Sequence, residues 1–284
     1  MSALTAGPCP TDAGEGRSPS AGELIAASGI LASEARTLLA LALNATRESL
    51  IAHPQLQVPP VAADRFRALC GRRQAGEPMA YLRMEREFFG RRFRVDPAVL
   101  IPRPETECLV QAALEALRQV RRPSVLDLGT GSGCIAITLA LERADAEVSA
   151  TDLSEAALEL ARANAVALGA RVEFIHGDWY GPIRRRYDLI VSNPPYVAVD
   201  DPHLAELANE PVAALTDGAD GLTCLRAVLD GAPACLTSQG TLLIEHGHDQ
   251  GALVRAMATS KGFRTVRTQV DLAGVERICV ASNR

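Results

Sequence analysis

Four short stretches of the chain carry residue types at spacings that could do chemistry. The first is Val125-Leu126-Asp127-Leu128-Gly129-Thr130-Gly131-Ser132-Gly133, an apolar run that breaks into glycines. Glycine has no Cβ, so such a loop lets a ligand approach the backbone closely. The spacing is G-x-G-x-G. Cys134 fills the slot where a dinucleotide fingerprint needs its last glycine, and no Gly-Lys-Ser/Thr follows to make a phosphate-cradling loop. The second is Asp152, at the end of the next apolar stretch. A carboxylate there can accept from both hydroxyls of a ribose, as in dinucleotide enzymes. An acid at a strand end can also cap the helix that follows. Beside a G-x-G-x-G loop it points to a nucleoside-bearing ligand.

The third stretch is Gly177-Asp178-Trp179, which holds the single tryptophan. An indole offers a stacking face to a purine, and Asp178 could accept from an exocyclic amine. The same pair also suits a core tryptophan beside a capping aspartate. The fourth and most specific is Ser192-Asn193-Pro194-Pro195-Tyr196. Two prolines fix φ and remove two backbone donors, and Pro194 pushes Asn193 towards extended geometry. The product is a stiff platform whose carbonyls can face a ligand, with the Asn193 side-chain oxygen as a further acceptor. A planar NH₂ group could give one proton to Asn193 Oδ1 and one to the Pro194 carbonyl, with the face of Tyr196 packed against it.

These stretches need a frame that gathers them. From Ser124 onward apolar runs alternate with amphipathic ones. Strands are expected at 124–128, 147–151, 172–176, 187–192 and 240–245, and helices at 134–142, 155–168, 222–229 and 251–261. Two closing strands follow, at 265–270 and 276–281, joined through Ala273-Gly274. Alternation implies an α/β fold with a parallel sheet and helices on both faces, and the closing pair implies an antiparallel edge. Ahead of this, Phe88, Phe89, Phe93 and Val95 flank Gly90 as in a short hairpin over 86–96. Pro97, Pro102 and Pro104 mark a connector, and a helix is expected from Thr106 to Gln119. Residues 21–85 read as a small helical bundle. Ser33 is the candidate N-cap of one helix, with Arg36 in the capping-box slot, and another helix is expected from Ala62 to Cys70 with Gly71 as its stop. Residues 1–20, rich in Ser, Gly, Pro and Thr, read as a disordered tail. The catalytic part therefore spans 86–284.

Composition narrows the classes. With 284 residues, 48% of them hydrophobic, the chain can bury a large core. A net charge of −5 argues against a nucleic-acid footprint, so no direct sequence-specific nucleic-acid contact is expected. The basic runs at Arg72-Arg73, Arg91-Arg92 and Arg184-Arg185-Arg186 read as solvated surface. Seven scattered cysteines, none in a C-x-x-C pair, form neither a disulfide framework nor a metal site. No run reaches the ~18 apolar residues of a membrane helix, and the N-terminus lacks a secretory pattern. No membrane association is expected, the cytoplasm is the default, and the absence of heptads makes a monomer the default.

The glycine loop, Asp152 and Asn-Pro-Pro-Tyr together resemble a class I (Rossmann-like) S-adenosylmethionine-dependent methyltransferase acting on a planar nitrogen, a superfamily that includes adenine-N6 DNA methyltransferases. The flanking stretches narrow the resemblance. Gly76-Glu77-Pro78-Met79-Ala80-Tyr81, Phe88-Phe89-Gly90 and Leu100-Ile101-Pro102-Arg103-Pro104-Glu105-Thr106-Glu107 are similar to the HemK/PrmC family, as are Glu210-Pro211 with Ala214-Leu215, Asp220-Gly221-Leu222 and Ile244-Glu245-His246-Gly247. The likeness covers residues 22 to 284. Asp217-Gly218 departs from it, standing where a glycine pair is expected.

The resemblance implies a small N-terminal helical domain, a β-hairpin linker and a Rossmann-like catalytic domain. It implies methylation of the glutamine amide nitrogen (N5) in the Gly-Gly-Gln motif of peptide chain release factors, the proteins of translation termination. It places the methionine end of the cofactor at Gly129, Thr130, Gly131, Ser132 and Gly133, the ribose at Asp152, the adenine at Trp179 and the substrate amide at Asn193, Pro194, Pro195 and Tyr196. It further implies that Pro102 to Glu107 line the cofactor cleft, that Phe88 or Phe89 walls the glutamine pocket, and that the N-terminal helices dock the release factor. The sibling that methylates a glutamine of a large-subunit ribosomal protein shares Asn-Pro-Pro-Tyr but differs at Pro-Arg-Pro-Glu-Thr-Glu. An adenine-N6 DNA methyltransferase would need a target-recognition region and base flipping. A pure binding module has no need of both Asp152 and Asn193.

Overall fold

A computed structural model describes residues 17–205 and 207–283. Most of the tail expected at 1–20, and Cys9 within it, lie outside the described residues. The chain divides into two compact units, to Leu82 and from Arg83.

The first unit holds α1 (Ala21–Ala26), α2 (Ala32–Leu43), α3 (Arg47–Ala52), α4 (Pro60–Gln74) and all but the last residue of α5 (Met79–Arg83). Its apolar stripes meet in one core around Leu38, Leu39, Leu50 and Phe66. Ser20, at the edge of the expected tail, is ordered. Its hydroxyl caps Glu23 N, and the Glu23 carboxylate returns to Ser20 N at 2.7 Å, a reciprocal capping box. Two expectations are corrected. Leu31, not Ser33, is the N-cap of α2, and no side chain caps it. Gly71 does not stop α4. The helix begins at Pro60, whose fixed φ suits a first helical position, and runs on to Gln74, with Gly76 (φ 94°) just beyond its end. The gain on the extra turn is the Arg73 guanidinium, which bonds both Glu34 oxygens at 3.0 and 3.1 Å and ties α4 to α2.

The second unit opens with a hairpin, β1 (Glu85–Phe88) and β2 (Arg91–Arg94), turned by Phe89 and Gly90 at φ 51° and 70°. Two positive φ angles in succession match the right-handed twist of the strands. There follow α6 (Thr106–Ala116), β3 (Ser124–Leu128), α7 (Cys134–Glu142), β4 (Glu147–Asp152), α8 (Glu155–Leu168), β5 (Glu173–His176) and β6 (Tyr187–Ser192). Then come α9 (Thr223–Cys235), β7 (Leu236–Glu245), α10 (Gly251–Ser260), β8 (Thr265–Val270) and β9 (Glu276–Ser282). Seven strands form one sheet in the order β5-β4-β3-β6-β7-β9-β8. The pairs from β5 to β7 are parallel, and β9 is antiparallel to both neighbours.

The sheet is apolar on both faces. One core gathers Leu109, Ala113, Val125, Ile137 and Leu189 with the hairpin's Phe88 and Phe93. The other gathers Leu126, Ile190, Leu225, Leu229, Val254 and Cys279. Strands covered on both sides read as near-continuous apolar runs, which is why β3 and β6 have the boundaries the sequence predicts. The strand order reverses between β3 and β6. In open α/β sheets a ligand binds beyond the carboxyl ends of the strands at that switch point.

Candidate functional site at the switch point of the sheet

The glycine loop leaves β3 at the switch point, with Gly129, Gly131 and Gly133 at φ 71°, 54° and 81°. These left-handed angles are open to glycine at little cost and are strained for other residues. Gly133 is also pressed from outside: a Cβ there would stand 2.8 Å from Ile137 Cδ1 and 3.1 Å from Ala161 Cβ. Gly131 is the opposite case, since a Cβ there would meet nothing within 4 Å. Its backbone faces open space.

Three anchors hold the loop. The Gly129 and Thr130 amides donate to the Thr151 carbonyl at 2.9 and 3.0 Å. Buried Asn164 on α8 donates to Ser132 O at 2.9 Å and exchanges bonds with Arg94, joining loop, helix and hairpin. Beneath, fully buried Asp127 accepts from the Thr130 hydroxyl at 2.6 Å and the Ala136 amide at 3.2 Å. Burial pushes its carboxyl up to about 7 despite those bonds. Its Oδ1 is buried without a partner among the described residues.

Asp152 ends β4. Its Oδ2 accepts from Gly131 N at 2.8 Å and its Oδ1 from Ser154 N at 2.9 Å. The helix-capping alternative is settled otherwise: the side-chain cap of α8 is Ser154, which accepts from Ala157 N. A carboxylate has about four acceptor positions, so two remain for a ligand. Burial raises the Asp152 carboxyl, and the Ser154 and Gly131 amides oppose that rise. Trp179, at φ 40°, sets its ring 3.7 Å from where a Gly129 Cβ would stand.

Across the switch point, Ser192 Oγ donates to Leu128 O at 2.8 Å and fixes the start of the Asn-Pro-Pro-Tyr turn against β3. Asn193 Nδ2 donates to Thr106 Oγ1 at 3.1 Å, which leaves Oδ1 as the end available to a ligand. Tyr196 turns its hydroxyl to Glu245 Oε1 at 3.2 Å. Its carbonyl accepts from Gln250 Nε2 at 3.0 Å, and Gly221 lies so close beneath that any Cβ would collide with it. Glu245 is 2% exposed, and burial pushes its carboxyl up to about 7.

One wall of the site is pinned by a buried carboxylate. Glu210 accepts from Arg103 Nη2 at 2.6 Å and from Ile101 N at 3.1 Å. That bond pair ties the segment after Asn-Pro-Pro-Tyr to the connector ahead of α6. At the unexpected Asp217, the carboxylate collects the amides of Ala219, Gly221 and Thr223, so it shapes the turn into α9.

The result is a cleft of ≈ 470 Å³ lined by Gly129, Thr130, Gly131, Asp152, Trp179, Asn193 and Pro195, together with Pro102, Arg103 and Thr106. Its size suits a nucleoside-sized ligand. Ser132, Gly133, Pro194 and Tyr196 are not among the lining residues but adjoin them in the chain. Phe88 is fully buried in an edge-to-face pair with Phe93, and neither it nor Phe89 lines the cleft. Phe89 N instead donates to Glu107 Oε1 at 2.9 Å. A larger, shallower hollow of ≈ 670 Å³ lies at the β4–β5 edge, around paired Glu147 and Arg185, and holds none of the motif residues. Residue-by-residue reading missed Asn164, Glu210 and Glu245 as supports. Glu210 and Glu245 sit inside stretches that carry the resemblance, which was their only signal. Asn164 sits in an ordinary amphipathic helix and gave none.

Comparison with known proteins bears on the family and the fold. The family described as "Methyltransferase small domain" matches residues 106–269, and "PrmC N-terminal domain" matches residues 21–83. A release factor glutamine methyltransferase of Neisseria gonorrhoeae is 51% identical, over 86% of this chain and 91% of that protein. One of Bordetella pertussis is 50% identical, over 90% and 96%. Among solved structures, a methyltransferase from Pyrococcus furiosus superposes with a TM-score of 0.53 at 17% identity, over 75% of this chain and 98% of that one. A 16S rRNA methyltransferase of T. thermophilus, solved with AdoMet and guanosine, gives 0.54 at 23%, over 70% and 50%. Both share the fold.

Proposed function

The chain belongs to the release factor glutamine methyltransferase family, and from that we propose that it transfers a methyl group from S-adenosylmethionine to the side-chain amide nitrogen of the glutamine in the Gly-Gly-Gln motif of peptide chain release factors. The observation that carries the reading is that Asp152 and Asn193, from opposite sides of the switch point, line one cleft. The residues fit the cofactor: a carboxylate with two free acceptor positions for a ribose, an indole face for a purine, and a glycine that leaves the backbone open. In this reading Gly129 to Gly133 hold the methionine end, Asp152 the ribose and Trp179 the adenine. The N-terminal helices dock the release factor, and the enzyme works in the cytoplasm.

An amide nitrogen is a poor nucleophile because its lone pair is delocalised. Bound S-adenosylmethionine supplies an electrophilic methyl on a sulfonium. The protein's task is alignment, which is worth at best roughly 7–11 kcal/mol. Asn193 Oδ1 and the Pro194 carbonyl each accept one proton of the substrate NH₂. As positive charge grows on the nitrogen, both bonds strengthen, so they favour the transition state over the ground state. The surplus proton passes to water.

The test uses purified protein, S-adenosylmethionine labelled in its methyl group, and a bacterial release factor with a Gln→Ala control in its Gly-Gly-Gln loop. Label on the first and none on the control is the expected result. Label on neither, with label appearing on a ribosomal protein or on adenine in DNA, would overturn the substrate assignment.

A further inference from the structure

The two ends of the Asn193 side chain, Oδ1 and Nδ2, are nearly the same size and shape. Packing alone does not decide which one faces the cleft, yet only the oxygen can accept from a substrate amide. Something behind Asn193 must set its direction. Behind it stands Thr106 at the start of α6, 2% exposed, whose Oγ1 accepts from Asn193 Nδ2 at 3.1 Å. A hydroxyl has one proton to give. Next to Thr106, at the end of β7, lies Glu245, whose Oε2 is buried without a partner among the described residues. Burial pushes that carboxyl up to about 7, and the nearby Thr106 hydroxyl opposes the rise by favouring its charged form. The other oxygen, Oε1, takes the Tyr196 hydroxyl proton at 3.2 Å.

We propose that Glu245 and Thr106 are positioning residues that fix the polarity of the substrate-amide site. Above about pH 7 the Glu245 carboxylate is ionised, and an ionised carboxylate only accepts. It draws the hydroxyl protons of Thr106 and Tyr196 towards itself, so that Thr106 is left with a lone pair for Asn193 Nδ2. Asn193 is thereby held with Oδ1 outward. A glutamine at 245 would carry both a donor and an acceptor, and the chain of bonds could then run either way. A reversed chain turns Asn193 Nδ2 into the cleft, where it meets the substrate NH₂ donor to donor. The same carboxylate fastens Tyr196, so one buried group orders both ends of the Asn-Pro-Pro-Tyr turn. The inference rests on the function proposed above.

The experiment compares wild type, T106V, T106S and E245Q at pH 8, measuring kcat, KM for a release factor and affinity for S-adenosylmethionine. Valine keeps the shape of Thr106 and removes the hydroxyl. T106V should lose about 10- to 100-fold in kcat, with cofactor affinity changed by less than about 3-fold, since the lost interaction acts only on the reacting amide. T106S returns the hydroxyl and should recover at least about a third of kcat, a rescue that packing alone would not give. E245Q should fall about 10-fold in the same way. If it folds poorly, the two Thr106 variants still decide. T106V turning over like wild type, or T106S failing as badly as T106V, overturns the proposal while wild-type activity leaves the parent reading intact. A wild type that labels no release factor removes the parent reading, and this one with it.

Discussion

The Gly131 amide donates to Asp152 Oδ2 at 2.8 Å, so the most open glycine of the loop is held by the acid at the end of the neighbouring strand. The two binding elements are set by one bond. Asp152→Ala removes that anchor together with the acceptors left for a ribose. Hydrogen bonds to a charged group contribute about 1.5–3 kcal/mol each. The affinity for S-adenosylmethionine, read by calorimetry, should fall on the order of 100-fold. An unchanged affinity would remove Asp152 from the cofactor site.

Asn193 makes a different demand on the reaction. Its Nδ2 is spent on Thr106 and its Oδ1 is the acceptor for the substrate. Asn193→Ala should cut kcat on the order of 100- to 1,000-fold, as loss of one preorganised transition-state contact does. Affinity for S-adenosylmethionine should change by less than about 3-fold. Intact turnover in this variant would sink the mechanism.

Much of this was legible in the chain because β3 and β6 are buried on both faces, which leaves apolar runs with sharp polar ends at Gly129 and Asn193. The limits of α7 and α8 were legible for a similar reason: Gly133 and Ser154 begin them, and Gly169 ends α8. What was not legible depends on tertiary contacts. Gly71 looks like a helix stop, but the Arg73–Glu34 bonds carry α4 past it. α9 was expected to end at Leu229. It continues to Cys235 because buried Ala232 packs in the core and Pro233, in its last turn, costs only local hydrogen bonding. The supports behind the site, Asn164 and Glu245, bond to residues far away in sequence, which no local pattern records.

Gly133 and Gly131 should respond differently to the same methyl group. At Gly133 an alanine meets both a left-handed φ of 81° and contacts of 2.8 and 3.1 Å with Ile137 and Ala161. The left-handed angle costs about 1–2 kcal/mol and the overpacking about 1–3 kcal/mol. Gly133→Ala should therefore lower Tm by about 5–10 °C, taking ~2–4 °C per kcal/mol for a domain of this size. Gly131→Ala meets open space, so only its φ is strained, and its Tm should drop by a few degrees at most. Its affinity for S-adenosylmethionine should fall instead, because the methyl stands in the cleft. Equal melting losses in the two variants would contradict these contacts.

Glu245 makes stability depend on pH in a direction opposite to that of an ordinary surface acid. Burial pushes its carboxyl from 4.5 up to about 7 in the folded state. Between those values the native chain holds a proton that the unfolded chain has released. Where the native state binds more protons, stability falls as pH rises. The loss begins near pH 4.5, is complete just above pH 7, and stays constant beyond. At 1.36 kcal/mol per pH unit it amounts to at most ~3 kcal/mol. Asp127, pushed from 3.8 to about 7, adds a loss of the same sign. Glu245→Gln cannot ionise. Urea unfolding at pH 5 and pH 8 should show wild type losing about 1–3 kcal/mol more than Glu245→Gln over that interval. Contributions from every other acid are shared by the two proteins and cancel. The same loss in both would mean that Glu245 titrates normally in the folded chain, and that the carboxylate behind Asn193 is ionised across the whole range.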